Sequence, residues 1–152
     1  MSNKEKYEQK YEIGLSYDDV LLVPRYSDIR SRAEISTETD LGNGLRLLTP
    51  IIASPMDTIS ESAMALELGL VGGTAVVHRY NTVSEQARHI RLAKDMARNL
   101  HNQAIIVGAA VGVSGDFLER AMALLEARAD FICIDVAHGH HIMMKKALEQ
   151  LR

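Results

Sequence analysis

Phe131-Ile-Cys-Ile-Asp-Val-Ala-His-Gly-His-His141 passes from an apolar, partly β-branched run straight into a polar loop. Phe131 to Ile134 suits a parallel strand covered on both faces. Asp135 then stands at the strand's carboxyl end, with three histidines and a glycine in the six residues that follow. Repeated β/α folds gather their ligands outside the carboxyl ends of strands, so Asp135 and His138 are the first site candidates. Asp and Gly after a strand are also ordinary turn residues. His138, His140 and His141, without a cysteine or further carboxylate beside them, make a poor zinc set, and no metal site is expected. Cys133, mid-strand among apolar neighbours, reads as a small packing hydrophobe rather than a nucleophile.

Working outward, the same strand-then-helix pattern repeats. Ile51 to Ser54 signals a strand, and Thr58-Ile-Ser-Glu61 reads as a capping box opening a helix with Ile59, Ala63, Leu66 and Leu70 on one face. Gly72-Gly73 introduces the strand Thr74 to His78. Thr82-Val-Ser-Glu85 is a second capping box, and its helix extends to about Asn99. Ala104 to Val107 starts the third strand. Asp116 caps a third helix whose Leu118, Ala121, Met122 and Leu125 form a stripe at helical spacing. After Phe131 to Asp135, a fourth helix carries Met144, Ala147, Leu148 and Leu151 at the same spacing.

Four such units predict an α/β fold of parallel strands joined by right-handed helical crossovers. An open doubly wound sheet is one solution, but Gly108-Ala-Ala-Val-Gly112 has the wrong spacing for a Gly-x-Gly-x-x-Gly fingerprint. A complete (β/α)₈ TIM barrel takes about 250 residues. The expectation is therefore half a barrel, residues 49–152, behind an N-terminal extension, residues 1–48. In that extension, residues 1 to about 12 form a polar lead-in without a signal-peptide core. Leu15 to Pro24 is a short extended segment or turn. Ile35, Thr37, Thr39 and Leu41 alternate with polar residues, and Asn43-Gly44 favours a type I′ hairpin returning through Leu45 to Leu48.

Composition narrows the function classes. Of 152 residues, 47% are hydrophobic, and 17 basic against 20 acidic residues give a formal charge of −3. That well-mixed charge provides no footprint for nucleic acid or a membrane surface. One cysteine allows no internal disulfide, and no apolar run reaches transmembrane length. A reducing cytoplasm is the expected location.

Four stretches taken in order resemble the inosine monophosphate dehydrogenase and GMP reductase family. Tyr17-Asp-Asp-Val-Leu-Leu-Val-Pro24 with Ser31-Arg32 is similar to the family's opening, and Ser54-Pro-Met-Asp-Thr58 to its first strand-to-helix loop. Gly72-Gly73 through His78-Arg79 is similar to the second loop, and Val107 to Gly112 with Ile134-Asp-Val-Ala-His-Gly139 to the third and fourth. The likeness implies the start of a (β/α)₈ barrel through its fourth helix. Ser54-Pro-Met56 favours the dehydrogenase, because reductases usually carry Asn-Met there. The short join Asp95 to Gln103 leaves out the regulatory module pair that many dehydrogenases insert after the second helix.

The resemblance implies roles for single residues. Ser54 and Met56 correspond to contacts with the purine nucleotide, the serine by hydrogen bonding and the methionine by packing on the base. The bland reading of Met56 is a core methionine. Asp135 corresponds to the carboxylate on the nicotinamide ribose hydroxyls, with Ala137 and His138 in the same groove. Val113 and Ser114 fall toward the cofactor's adenine end. Asp57 reads more simply as a cap.

The chemistry implied is covalent: a cysteine attacks C2 of IMP, hydride passes to NAD, and water on an arginine-bearing flap hydrolyses the thioimidate to XMP. That cysteine, a monovalent cation (K⁺) and the flap belong to the family's second half, so no catalytic residue is assigned here and the chain alone should be inactive. The alternatives are a GMP reductase using NADPH, and a non-catalytic half-barrel pairing with itself or with a complementary second half. Two unpaired strand edges make self-association the expected behaviour. For an intact version the family implies a homo-oligomer.

Overall fold

The computed structural model describes residues 14–152; the polar lead-in lies outside them. They fall into two compact units, one ending at Ile35 and the other running from Ser36 to Arg152.

In the first unit, Tyr17–Asp19 and Arg32–Glu34 each form a single 3-10 turn. The Asp19 carboxylate accepts the Ser16 backbone N–H at 2.8 Å and its hydroxyl at 2.9 Å. Those two bonds hold the Asp19 carboxyl below its ordinary pKa. The rest of the Leu15 to Pro24 stretch has no regular secondary structure, with Ser16 and Val20 extended on either side of the first turn.

The second unit begins with a hairpin, β1 (Thr39–Gly42) antiparallel to β2 (Leu45–Leu47). Asn43 and Gly44 take φ of 52° and 81°, the left-handed pair that a type I′ turn requires. The first strand is shorter than the alternation from Ile35 suggests. Beyond the Thr39–Leu47 pair the contact continues through a side chain, the Thr37 hydroxyl donating to the Leu48 carbonyl at 2.7 Å.

Then come β3 (Ile52–Ala53), α1 (Ser62–Leu70), β4 (Thr74–Val77), α2 (Val83–His101), β5 (Val107–Val111), α3 (Phe117–Glu126), β6 (Phe131–Ile134) and α4 (Ile142–Leu151). The four strands β3 to β6 pair in sequence order, all parallel. The expected α/β class and the four strand-then-helix units are therefore present. The core lies between sheet and helices: Ala75, Val77, Val107, Ala109 and Val111 meet Leu66, Ile90, Ala93, Phe117, Ala121 and Leu124.

The Thr82 capping box forms as expected. Its hydroxyl accepts the Glu85 N–H at 3.2 Å, and the Glu85 carboxylate accepts the Thr82 N–H at 3.0 Å. Helix α2 runs two residues past the expected end and stops where Asn102 turns left-handed, φ 49°. The Thr82 hydroxyl and N–H hold the Glu85 carboxyl below its ordinary value. A depressed carboxyl stabilises the fold above its unfolded pKa, and that contribution is lost as the pH falls through the lower folded value. Thr82→Ala should cost about 1 kcal/mol in urea denaturation and remove most of this acid dependence; an unchanged midpoint would refute the cap's role.

Five expectations are corrected. The box at Thr58 does not form: Thr58 sits at φ 60°, its hydroxyl donates to the Asp57 carbonyl, and Glu61 turns to a histidine instead. Helix α1 starts only at Ser62 and buries Ala65, Leu66 and Gly69, while Ile59 and Ala63 are exposed. Asp116 precedes α3 without capping it, because its carboxylate takes the Arg120 guanidinium at 2.8 and 3.1 Å. Arg120 also reaches across to Gln86 Oε1 at 2.8 Å and the Asn81 carbonyl at 3.2 Å, and it is buried with Phe117, Ala121 and Leu124, while Leu118, Met122 and Leu125 face outward. The third strand starts at Val107 rather than Ala104, and it is built from Val-Gly-Ala-Ala-Val. Its small residues are needed in the sheet centre, since a Cβ on Gly108 would lie 2.3 Å from the Phe131 ring.

Candidate functional site

The parallel register brings four loops to one rim: residues 54–60 after β3, 78–82 after β4, 112–116 after β5 and 135–141 after β6. At the first, Ser54 is exposed and its carbonyl accepts the Ser60 hydroxyl. Met56 is 51% exposed. Its carbonyl accepts the N–H groups of Ile59 at 3.2 Å and Ser60 at 2.9 Å.

At the far edge, the Asp135 N–H donates to the Val111 carbonyl at 2.9 Å, so the side chain leaves the sheet immediately after the last strand. Its carboxylate is 30% exposed and lies 3.7 Å from Arg79 Nε. That is an ion-pair distance too long for a hydrogen bond, and Arg79 Nε has no other partner. The same guanidinium donates to the Asp135 carbonyl at 3.3 Å and lies 5.5 Å from the Tyr80 ring centre. Ala137, His138 and Ser114 are exposed, whereas Val113 packs partly against the core. His141 is structural, its Nδ1 accepting the Met143 N–H at 3.1 Å to cap α4.

The candidate residues thus form two groups on one rim. Ser54 and Met56 follow β3 and Asp135 follows β6, three strand spacings or about 14 Å across. The loop after β4, which pairs next to β3, carries His78, Arg79 and Asn81. Both amide atoms of the Asn81 side chain are buried without a partner. Sequence reasoning passed over Arg79 and His78 as site residues, although His-Arg at a strand's carboxyl end is the same signal that singled out Asp135.

Beneath the loops lies a buried brace. Gln86, fully buried, donates through Nε2 to the carbonyls of Val77 at 3.1 Å and Ala110 at 2.8 Å, tying the ends of β4 and β5. Arg120 donates to Gln86 Oε1 at 2.8 Å and to the Asn81 carbonyl at 3.2 Å.

Cys133 is a poor nucleophile here. Burial raises its thiol pKa, and the Asp135 charge adds to the shift. The neutral thiol is favoured, so its stabilising contribution is full below the unfolded pKa and lost as the pH rises through the raised folded value. Iodoacetamide should react more slowly with the folded chain at pH 8 than with the urea-unfolded chain, and Asp135→Asn should speed the folded reaction; equal rates would contradict this placement. Among the described residues no three His, Cys, Asp or Glu side chains gather as a metal site, and no helix is long and apolar enough to cross a membrane.

The parallel β/α array places the chain in the α/β class, in which ligands gather at the carboxyl ends of the strands. A family model described as the IMP dehydrogenase / GMP reductase domain matches residues 14–152. The chain belongs to the IMP dehydrogenase / GMP reductase family. It is 30% identical over 175 aligned residues to an inosine-5'-monophosphate dehydrogenase of Cryptosporidium parvum, covering 91% of this chain and 43% of that protein. A GMP reductase of Streptococcus gordonii is 30% identical over 136 residues, 90% of this chain and 39% of the relative. A GMP reductase of Leishmania donovani is 42% identical over 81 residues, 53% of this chain and 16% of the relative. The chain spans less than half the length of each of these relatives.

Proposed function

We propose that this chain supplies the first four β/α units of a (β/α)₈ barrel that oxidises IMP to XMP with NAD, the barrel portion beginning at residue 49 after the extension and hairpin. The observation carrying the dehydrogenase reading is Ser54-Pro-Met56, dehydrogenase-like in wording and with Met56 exposed in the loop after β3. Ser54 offers a hydroxyl to the nucleotide and Met56 an apolar surface to its base.

The rim beside Asp135 fits a nicotinamide ribose. A part-exposed carboxylate is an acceptor for two hydroxyls, and the Arg79 guanidinium beside it keeps a positive charge at the same edge of the rim. Ala137 and His138 line that groove, and Val113 and Ser114 lie toward the adenine end. When bound, NAD supplies the hydride acceptor. The residues of this chain bind and orient the reactants, and the cysteine and K⁺ site lie in the second half, so the chain alone turns over no IMP. A reducing cytoplasm suits this role.

GMP reductase, with NADPH, is the second reading, favoured by the relatives that carry that name. Titration calorimetry separates the two. IMP should bind and GMP bind more weakly; the reverse order would favour the reductase. Asp135→Ala should weaken NAD by about 2 kcal/mol, roughly thirtyfold, and leave IMP unchanged. The free edges of β3 and β6 should pair with further strands, from a second half or a second copy. Sedimentation should show self-association of the isolated chain, and a stable monodisperse monomer would count against it.

A further inference from the structure

We propose that His78 is a positioning residue: through Ser60 and Glu61 it holds the Ser54–Thr58 loop in the conformation that presents Ser54 and Met56 on the rim. This rests on the assignment of those two residues to the nucleotide. Three features of the local structure carry it.

The loop is strained. Thr58 lies at φ 60°, a left-handed conformation that a β-branched residue rarely adopts and that persists only where the surroundings impose it. Ser60, 1% exposed, is the element that imposes it, because all its polar groups are committed. Its N–H donates to the Met56 carbonyl at 2.9 Å, its hydroxyl donates to the Ser54 carbonyl, and its own carbonyl accepts the His78 N–H at 3.2 Å. One buried serine therefore ties both nucleotide-side residues to the end of β4.

The third feature is the imidazole of His78, also 1% exposed. Its Nδ1 accepts the Tyr80 N–H at 3.2 Å, which in the neutral ring puts the proton on Nε2. Nε2 lies 3.3 Å from Glu61 Oε1 and 3.9 Å from Asp57 Oδ1. Glu61 occupies the N-cap of α1 but makes no capping bond, and His89 Nε2 stands 3.9 Å from the same oxygen. A helix start that forgoes its cap in this way has its carboxylate engaged in fixing the turn before it. His78 thus grips the loop by its backbone through Ser60 and by its side chain through Glu61.

Hydrogen–deuterium exchange on the chain and three variants tests the assignment. Ser60→Ala removes the bond to Ser54. His78→Asn keeps an acceptor for Tyr80 but not the donor to Glu61, whereas His78→Gln restores a donor at the Nε2 position. Exchange over residues 54–60 should rise about tenfold in Ser60→Ala and His78→Asn, and fall back toward wild type in His78→Gln, with α2 and β5 unchanged. Affinity for IMP should fall about tenfold in the first two variants. Loop exchange at the wild-type rate in both, or an increase spread evenly over the sheet, would overturn the assignment and leave His78 as core packing. Failure of the wild-type chain to bind IMP would instead remove the substrate reading, with loop exchange still deciding the clamp.

Discussion

Gln86→Leu should destabilise the fold by about 3 kcal/mol, although the substitution nearly preserves volume and adds apolar surface. The side chain is fully buried, and its amide is the donor to two carbonyls on adjacent strands and the acceptor for Arg120. Leucine leaves those groups buried with nothing to replace the lost bonds, and a buried group without its partner costs about 1–3 kcal/mol, more where charge is involved. The carbonyls have second lone pairs that the sheet can use, which keeps the total near the middle of the summed range. For a chain of this size the melting temperature should drop by roughly 10 °C. A drop under about 2 °C would mean that the brace is dispensable and that packing alone holds β4 against β5. Arg120→Met is the companion measurement: it spares the two Gln86 donor bonds while freeing Asp116, so its cost should be smaller.

Gly72→Ala should cost a similar amount, about 3 kcal/mol, for a different reason. Gly72 sits at φ 84°, and a Cβ there would lie 2.6 Å from Leu48 Cβ. A left-handed conformation costs an L residue about 1–2 kcal/mol, and overpacking adds about 1–3 kcal/mol. The contact is with an atom next to the backbone, so rotating the leucine side chain does not relieve it. The Gly72 carbonyl also accepts the Thr49 N–H at 3.0 Å, so any shift is passed to the segment that leads into β3. Leu48→Ala leaves the Cβ in place and should not rescue Gly72→Ala, whereas Leu48→Gly should recover part of the loss in urea denaturation. Full rescue by Leu48→Ala would show that the γ and δ carbons, not the Cβ, carry the conflict.

Much of the fold was legible because its signals are local. The Thr82 box, the Asn43-Gly44 turn and the glycines before Thr74 each act over three or four residues, and each forms as their chemistry predicts. The same local rules failed at Thr58 and Asp116, and in both places the carboxylate expected at a helix start was diverted, Glu61 to His78 and Asp116 to Arg120. Helical spacing predicted that α3 exists but chose the wrong face, because it cannot weigh Arg120 as a buried residue. Residue preference places the start of β5 too early, since Ile105 and Ile106 look more like strand than Gly108-Ala109-Ala110; Gly108 is required by the Phe131 ring packed against it.

At the site, the rim positions of Ser54, Met56 and Asp135 followed from their place after strands, as β/α folds require. Arg79, Asn81, Ser60 and Glu61 did not. By itself the sequence determined the order of the elements, the parallel α/β class and the loops that follow the strands, because periodicity, caps and turns are set by neighbours in the chain. Only the tertiary structure decided which helix faces are buried, what holds the Ser54–Thr58 loop and which cation meets Asp135. The engagement of Glu61 and of Asp135 depends on partners 17 and 56 residues away, His78 and Arg79, whose hydrogen bonds and charges interact only once the sheet has brought them together.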